Sequence, residues 1–299
     1  MKKLARGAIN EQITAVANPV YPGYLVRGEG KNLMIEAGMN LMAPLYLQSI
    51  GDLLGDPGKL DYLFITHSHY DHLGAAPYLM SHIPGLRLGA HERVGELLAK
   101  ESVLAMMNRL SEIQRPLFGE IAGEEDLRIR PVAVDCVLRD GDEFDLGGVT
   151  CRVYETPGHT RDSLSFYLPE TGVLFPGEAA GVPQGKRGEG VQVEFLSSYD
   201  DYLASLEKII ALDPKVLCIG HAWVFTGEDT AQYLRESRDA TYAYRRLIEG
   251  YLDDSGGDVD RAVLTMTQIE YDESGEIFQE RNAYVTNLDA QVRHVAGLR

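Results

Sequence analysis

Apolar residues recur along this chain in two rhythms, and the changes between them predict its elements. In the first third, "ITAVA", "GYLVRG" and "NLMIEAG" are short runs bounded by Gly, Pro or Asn, the signature of strands. "LMAPLYLQSIGDLL" has apolar positions at helical spacing, and "LDYLFIT" is a continuous apolar run of the length of a strand covered on both faces. "GAAPYLMSHI" predicts a helix, "LRLGAH" a strand, and "ERVGELLAKESVLAMMNRLSEIQRPLFG" a helical insertion over about residues 92–120. Strands and tight turns return from "LRIRPVAV" to "GVLFPG", before the periodic helix "YDDYLASLEKIIALD" leads into the strand "KVLCIGH". Beyond Thr226 the pattern is mostly helical, clearest in "GEDTAQYLRESRDATYAYRRLIEGYL". This order predicts an α/β (α+β) sandwich of sheets flanked by helices, not a regular βαβ repeat. Residues 1–226 read as its body and 227–299 as a helical extension covering the site. "GVPQGKRGEGVQV" reads as a mobile loop.

Composition narrows the choice of partners. With 44% hydrophobic residues in 299, the chain can bury a large core. Its net charge of −17, without a long basic run, speaks against nucleic acid and against an anionic membrane surface. No stretch is apolar enough to span a bilayer, and "MKKLARGAIN" is not followed by the apolar core of a secretory signal. Cys136, Cys151 and Cys218 form no CxxC pair, which fits a reducing, cytoplasmic setting. Cys218 reads as a small buried hydrophobe. Oligomeric state stays open, a homodimer included.

The chemistry gathers in "THSHYDHLG", where His67, His69, Asp71 and His72 directly follow an apolar strand run. A loop leaving a rigid strand can aim alternate side chains at one point, and imidazole with carboxylate is a ligand set for zinc or iron. His67 with His69 and Asp71 with His72 form two natural groups. His159 in "TPGHTRDS" and His221 in "IGHAW" also stand just past strand ends. His82, His91 and His294 read as structural or surface residues.

In this order and separation, "THSHYDHLG", "TPGHTRDSLSFYLPETGVLFPGE" and the "GH" at His221 resemble the metallo-β-lactamase superfamily over roughly residues 13–224. The flavour is that of its glyoxalase II-like and acyl-thioesterase members. The resemblance implies an αββα sandwich with two metals at one edge, a helical insertion and a helical C-terminal extension. It implies one metal on His67, His69 and His159, a second on Asp71, His72 and His221, and a bridging carboxylate at Glu178. There the family normally has aspartate, so the extra methylene puts the bridge in question.

Two divalent cations, zinc or iron with manganese as a third option, would supply a metal-bound hydroxide, oriented by Asp71, to attack an acyl carbonyl. A thiolate leaves without prior protonation, so an acyl-thioester or glutathione-thioester is the expected small-molecule substrate. Other esters, as for a lactonase or phosphodiesterase, are the alternative. Further options are non-haem iron redox chemistry, or a sensor whose metal site Glu178 has impaired. Tyr70 and Arg161 are candidate substrate contacts beside the metals. Met106 and Met107 are candidates for an acyl-chain wall, and Lys186 and Arg187 for the anionic end of a thiol carrier.

Overall fold

The computed structural model describes residues 1–185, 188–277 and 279–299. Lys186 and Arg187 therefore lie outside the described residues. One sheet runs, in spatial order, through Gly7–Ala8, Ile13–Asn18, Tyr21–Arg27, Asn32–Ile35, Tyr62–Phe64, Arg87–Ala90 and Cys136–Val137. The other runs through Lys2–Leu4, Trp223–Thr226, Val216–Cys218, Val173–Phe175, Leu164–Leu168, Thr150–Glu155 and Glu143–Asp145.

Period-two alternation of side chains explains why these strands stack as two sheets. Tyr24, Val26, Leu33, Ile35 and Phe64 of the first sheet meet Val153, Phe166, Val173, Phe175 and Val224 of the second in a shared core. Phe64 and Phe166 sit with ring centroids 5.6 Å apart across it. Leu25, Met34 and Leu63, the intervening residues, face the other way, toward helices. Those helices are α1 (Ala43–Leu54), α2 (Tyr70–Leu73), α3 (Ala76–His82), α4 (Glu92–Leu98) and α5 (Glu101–Ala122). Leu174, Leu217 and Phe225 likewise turn outward from the second sheet, against α6 (Tyr199–Ala211) and the start of α7 (Glu228–Asp254). The order of layers is helix, sheet, sheet, helix.

The C-terminal segment adds α8 (Val259–Met266), a π-helical turn over Thr267–Glu273 and α9 (Arg281–Gly297). Ile248 and Leu252 of α7, Met266 of α8, and Leu288 and Val292 of α9 bury Phe195, Tyr199 and Tyr202 beside them. Among the described residues, no helix is long and apolar enough to cross a membrane.

Two local expectations change. "LRIRPVAV" is not a strand: residues 127–134 are irregular. Its backbone is satisfied by side chains instead, since Asn108 both accepts from Ile129 N (2.8 Å) and donates to the Ile129 carbonyl (3.0 Å), while Asn40 donates to the Leu127 carbonyl (2.8 Å). The segment expected to be a mobile loop contains a small hairpin, Val182–Pro183 paired with Val191–Gln192.

Candidate metal centre

Every residue of the centre stands just past the C-terminal end of a strand. His67 and His69 follow Tyr62–Phe64, and Asp71 and His72 occupy the first turn of α2. His159 follows Thr150–Glu155, Glu178 follows Val173–Phe175, and His221 follows Val216–Cys218. Glycine is needed before two of them. Gly158 has φ +129°, and a Cβ there would lie 2.2 Å from the Tyr202 Cα. At Gly220 a Cβ would lie 2.8 Å from the His72 ring, so only glycine lets that loop approach.

Donor atoms converge in two groups. His159 Nε2 lies 3.2 Å from His67 Nε2, 3.1 Å from His69 Nδ1 and 3.0 Å from Glu178 Oε2. His221 Nε2 lies 3.2 Å from His72 Nε2, 2.7 Å from Glu178 Oε1 and 3.7 Å from Asp71 Oδ2. Each group offers ligand atoms close enough together to hold one metal ion. The spacing fits: a tetrahedral cation bound at about 2.0–2.1 Å sets its ligand atoms roughly 3.3 Å apart. Imidazole nitrogens this close cannot all hydrogen-bond to each other, whereas a shared cation uses every lone pair.

The far side of four rings is tied down. His72 Nδ1 is 3.1 Å from Glu36 Oε1, and His67 Nδ1 is 2.9 Å from Thr66 Oγ1. Thr66 itself donates to Glu36 at 2.5 Å, so one buried carboxylate serves both rings. His159 Nδ1 meets the Glu194 carbonyl at 2.6 Å and His221 Nδ1 the Val20 carbonyl at 2.9 Å. A carbonyl can only accept, so Nδ1 of both rings carries the proton and Nε2 turns its lone pair toward the centre.

Protein charges alone divide the histidines. Burial, reinforced by neighbouring imidazoles, holds His67 well below the usual range, and burial with His159 lowers His69 to about 4. Burial pulls His72, His159 and His221 the same way but is outweighed, by Glu36 and Asp71 at His72 and by Glu178 at all three, so these rings are raised. Glu178 is depressed despite its burial, because His159, His221 and His72 surround it.

The centre thus brings together all seven residues expected from the sequence, Glu178 included. The candidate contacts divide. Tyr70 is half-buried beside Asp71, and Arg161 is exposed on the loop after His159. Met107 is 5% exposed and packs into the core with Leu104. Met106, one position earlier, takes the outer face of α5. His82 and His91 stay outside, on local hydrogen bonds, and His294 accepts from Tyr199 N at 2.9 Å. Sequence reasoning missed Glu36, Thr66, Glu194 and Tyr21. Glu36 left one signal, an acid closing the apolar run "NLMI", where burial demands a partner. Tyr21 packs edge-on against His221 at 5.4 Å.

The metallo-beta-lactamase superfamily model matches residues 22–221. A metallo-beta-lactamase fold-containing protein of Sulfurisphaera tokodaii is 28% identical over 217 residues, covering 71% of this chain and 77% of its own. The acyl-coenzyme A thioesterase MBLAC2 of Homo sapiens is 28% identical over 201 residues, 63% of this chain and 67% of that one. A hydroxyacylglutathione hydrolase of Brucella anthropi is 28% identical over 167 residues, 55% of this chain and 48% of its own. The solved structure of a Thermus thermophilus metallo-beta-lactamase family protein superposes with a TM-score of 0.64 at 20% identity, over 98% of this chain and 92% of that one, a likeness of fold alone. Because the family match begins within the Tyr21–Arg27 strand of the first sheet and ends on His221 itself, the chain belongs to the metallo-beta-lactamase superfamily.

Proposed function

We propose that this protein is a hydrolase of thioesters that works with two divalent cations. One observation carries the reading: the oxygens of Glu178 divide between the two ligand groups, Oε2 at 3.0 Å from His159 and Oε1 at 2.7 Å from His221. A carboxylate so placed suits a bridge, which supports two working metal positions over an impaired sensor. His67, His69 and His159 would hold one cation, and Asp71, His72 and His221 the other. Zinc, iron and manganese all accept this donor set. When bound, such a pair lowers the pKa of water toward neutrality and polarises an acyl carbonyl.

The chain contributes the rest. Asp71, its side chain 20% exposed, stands on the open side of the centre, where it can orient a water and accept its proton. The choice of leaving group follows from which protons are available nearby. Tyr21 and Tyr70 are the phenols beside Asp71, and burial with the Asp71 charge pushes both far above the usual range. Such groups release protons poorly. An alkoxide leaving group needs a donor, whereas a thiolate, with a parent thiol pKa of about 8.5, departs without one. Two relatives bear names for thioester chemistry, acyl-coenzyme A thioesterase and hydroxyacylglutathione hydrolase, which supports the same choice.

The test is a matched panel of one acyl group as thioester, oxygen ester and lactone, with a phosphodiester alongside, assayed on protein of measured metal content. Thioester turnover at least about a hundredfold above the others, lost on chelation and restored by metal, is the expected outcome. A preference for the phosphodiester or lactone, or undiminished turnover after chelation, overturns it.

A further inference from the structure

Beside the metal centre lies a cavity of about 160 Å³ between the paired strands Val182–Pro183 and Val191–Gln192 and helices α7 and α9. Its polar lining is mostly side-chain amide, from Gln184, Gln192, Gln279 and Asn287, together with the carboxyls of Glu194 and Glu270. Among the described lining residues there is no lysine or arginine. We propose that this cavity receives the uncharged, amide-bearing arm of a pantetheine-type thiol carrier, and selects such thioesters over those of glutathione. The inference rests on the thioesterase reading and deepens it.

Glu194 joins the cavity to the centre. Its carbonyl holds His159 Nδ1 at 2.6 Å while its carboxyl lines the cavity, so an occupant lies one residue from a candidate ligand. That carboxyl accepts from Gln192 Nε2 and, at 3.4 Å, from Asn287 Nδ2. Gln192 Nε2 also reaches Gln279 Oε1 at 3.1 Å. A row of amides therefore runs along one wall, each group with a further donor or acceptor to offer: the Gln279 nitrogen, the Asn287 oxygen, and both ends of Gln184. Amide groups of a ligand pair with such a row in either direction. Val191, Leu247 and Ile277 supply apolar surface for a ligand's methyl groups.

Charge decides between carriers. Glutathione has amides too, but its two carboxylates outnumber its one ammonium, and that net negative charge would enter a cavity where Glu270 stands with no lysine or arginine among the described lining residues. The pantetheine arm carries two amides, hydroxyls and a pair of methyls, and no charge. The volume falls below the roughly 300–1,000 Å³ of whole-ligand pockets, which suits one segment of a carrier.

The test uses the metal-loaded full chain and two non-hydrolysable thioethers, S-methyl-pantetheine and S-methyl-glutathione, with binding followed by calorimetry. The pantetheine thioether should bind at least about tenfold tighter, and Asn287→Leu and Gln279→Leu should each cut that preference severalfold. Both positions are only partly buried, and thermal melts report whether the variants stay folded. In parallel, the kcat/KM ratio for acetyl-pantetheine over acetyl-glutathione should exceed about ten and fall toward one in the variants, through KM. Equal binding of the two thioethers, or a preference that neither variant moves, overturns the inference. Selective binding without hydrolysis of either thioester leaves the cavity assignment standing and removes the hydrolase reading. Hydrolysis without selectivity does the reverse.

Discussion

Glu178 is where a single methylene matters most, because its reach fits both groups of ligand atoms at once. Glu178→Asp withdraws the carboxylate by about 1.5 Å, several times the tolerance of ligand distances. The variant should keep one metal equivalent of two and lose more than about a hundredfold in kcat, measured by metal analysis beside turnover. Protein stripped of metal should be most stable near pH 6.5. Below that pH, His67 and His69 resist a proton that the unfolded chain accepts, so stability falls as pH drops toward 4. Above it, His72, His159 and His221 keep protons that the unfolded chain gives up, so stability falls as pH rises through their raised values. Glu194, raised to about 8 by burial and Glu178, acts in the second direction from the ordinary carboxylate range up to that value. A melting temperature of chelated protein that climbs steadily from pH 5 to 8 would contradict this. The histidines and Asp71 were legible because metal-ligating residue types crowd one loop. Glu36 and Glu194 were not, since what matters in each is which histidine it tethers, and that contact spans 36 and 35 residues of chain.

At the scale of elements, alternation carried most of the reading. Strands whose odd and even residues face different cores, such as Asn32–Ile35, announce themselves by composition. The miss at residues 127–134 has a physical cause: the segment alternates like a strand, but Pro131 removes a donor and Asn108 and Asn40 take the place of a partner strand. Asn108→Ala leaves the Ile129 backbone groups without their partners and should cost about 1–3 kcal/mol in denaturant unfolding, with metal content unchanged. No change in stability would show that water replaces the amide. Gly158→Ala drives a Cβ into the Tyr202 backbone of α6, so the loop carrying His159 must shift. It should reduce metal affinity as well as melting temperature, where a fault confined to packing would lower the melting temperature alone.

At the scale of the molecule, the C-terminal helices are packed into the body and are more than an appendage. Phe195, Tyr199 and Tyr202 share one core with Met266, Leu288 and Val292, and the same helices wall the amide-lined cavity. Helical periodicity foretold these helices, but their seat was not legible, because the faces that meet belong to segments as far as 98 residues apart. A net charge of −17 repels polyanions at long range. For an acyl-thioester of coenzyme A, kcat/KM should therefore rise severalfold between 10 and 150 mM salt, while that of an acyl-pantetheine stays flat. The proposed hydrolysis depends on one carboxylate serving two cations. The most direct measurement is metal stoichiometry against thioester turnover, titrated on chelated protein and on Glu178→Ala. The native chain should take up two equivalents with turnover appearing as the second binds, and the variant at most one equivalent without turnover. Full turnover at one equivalent, or a variant that still binds two and hydrolyses thioesters, would contradict it.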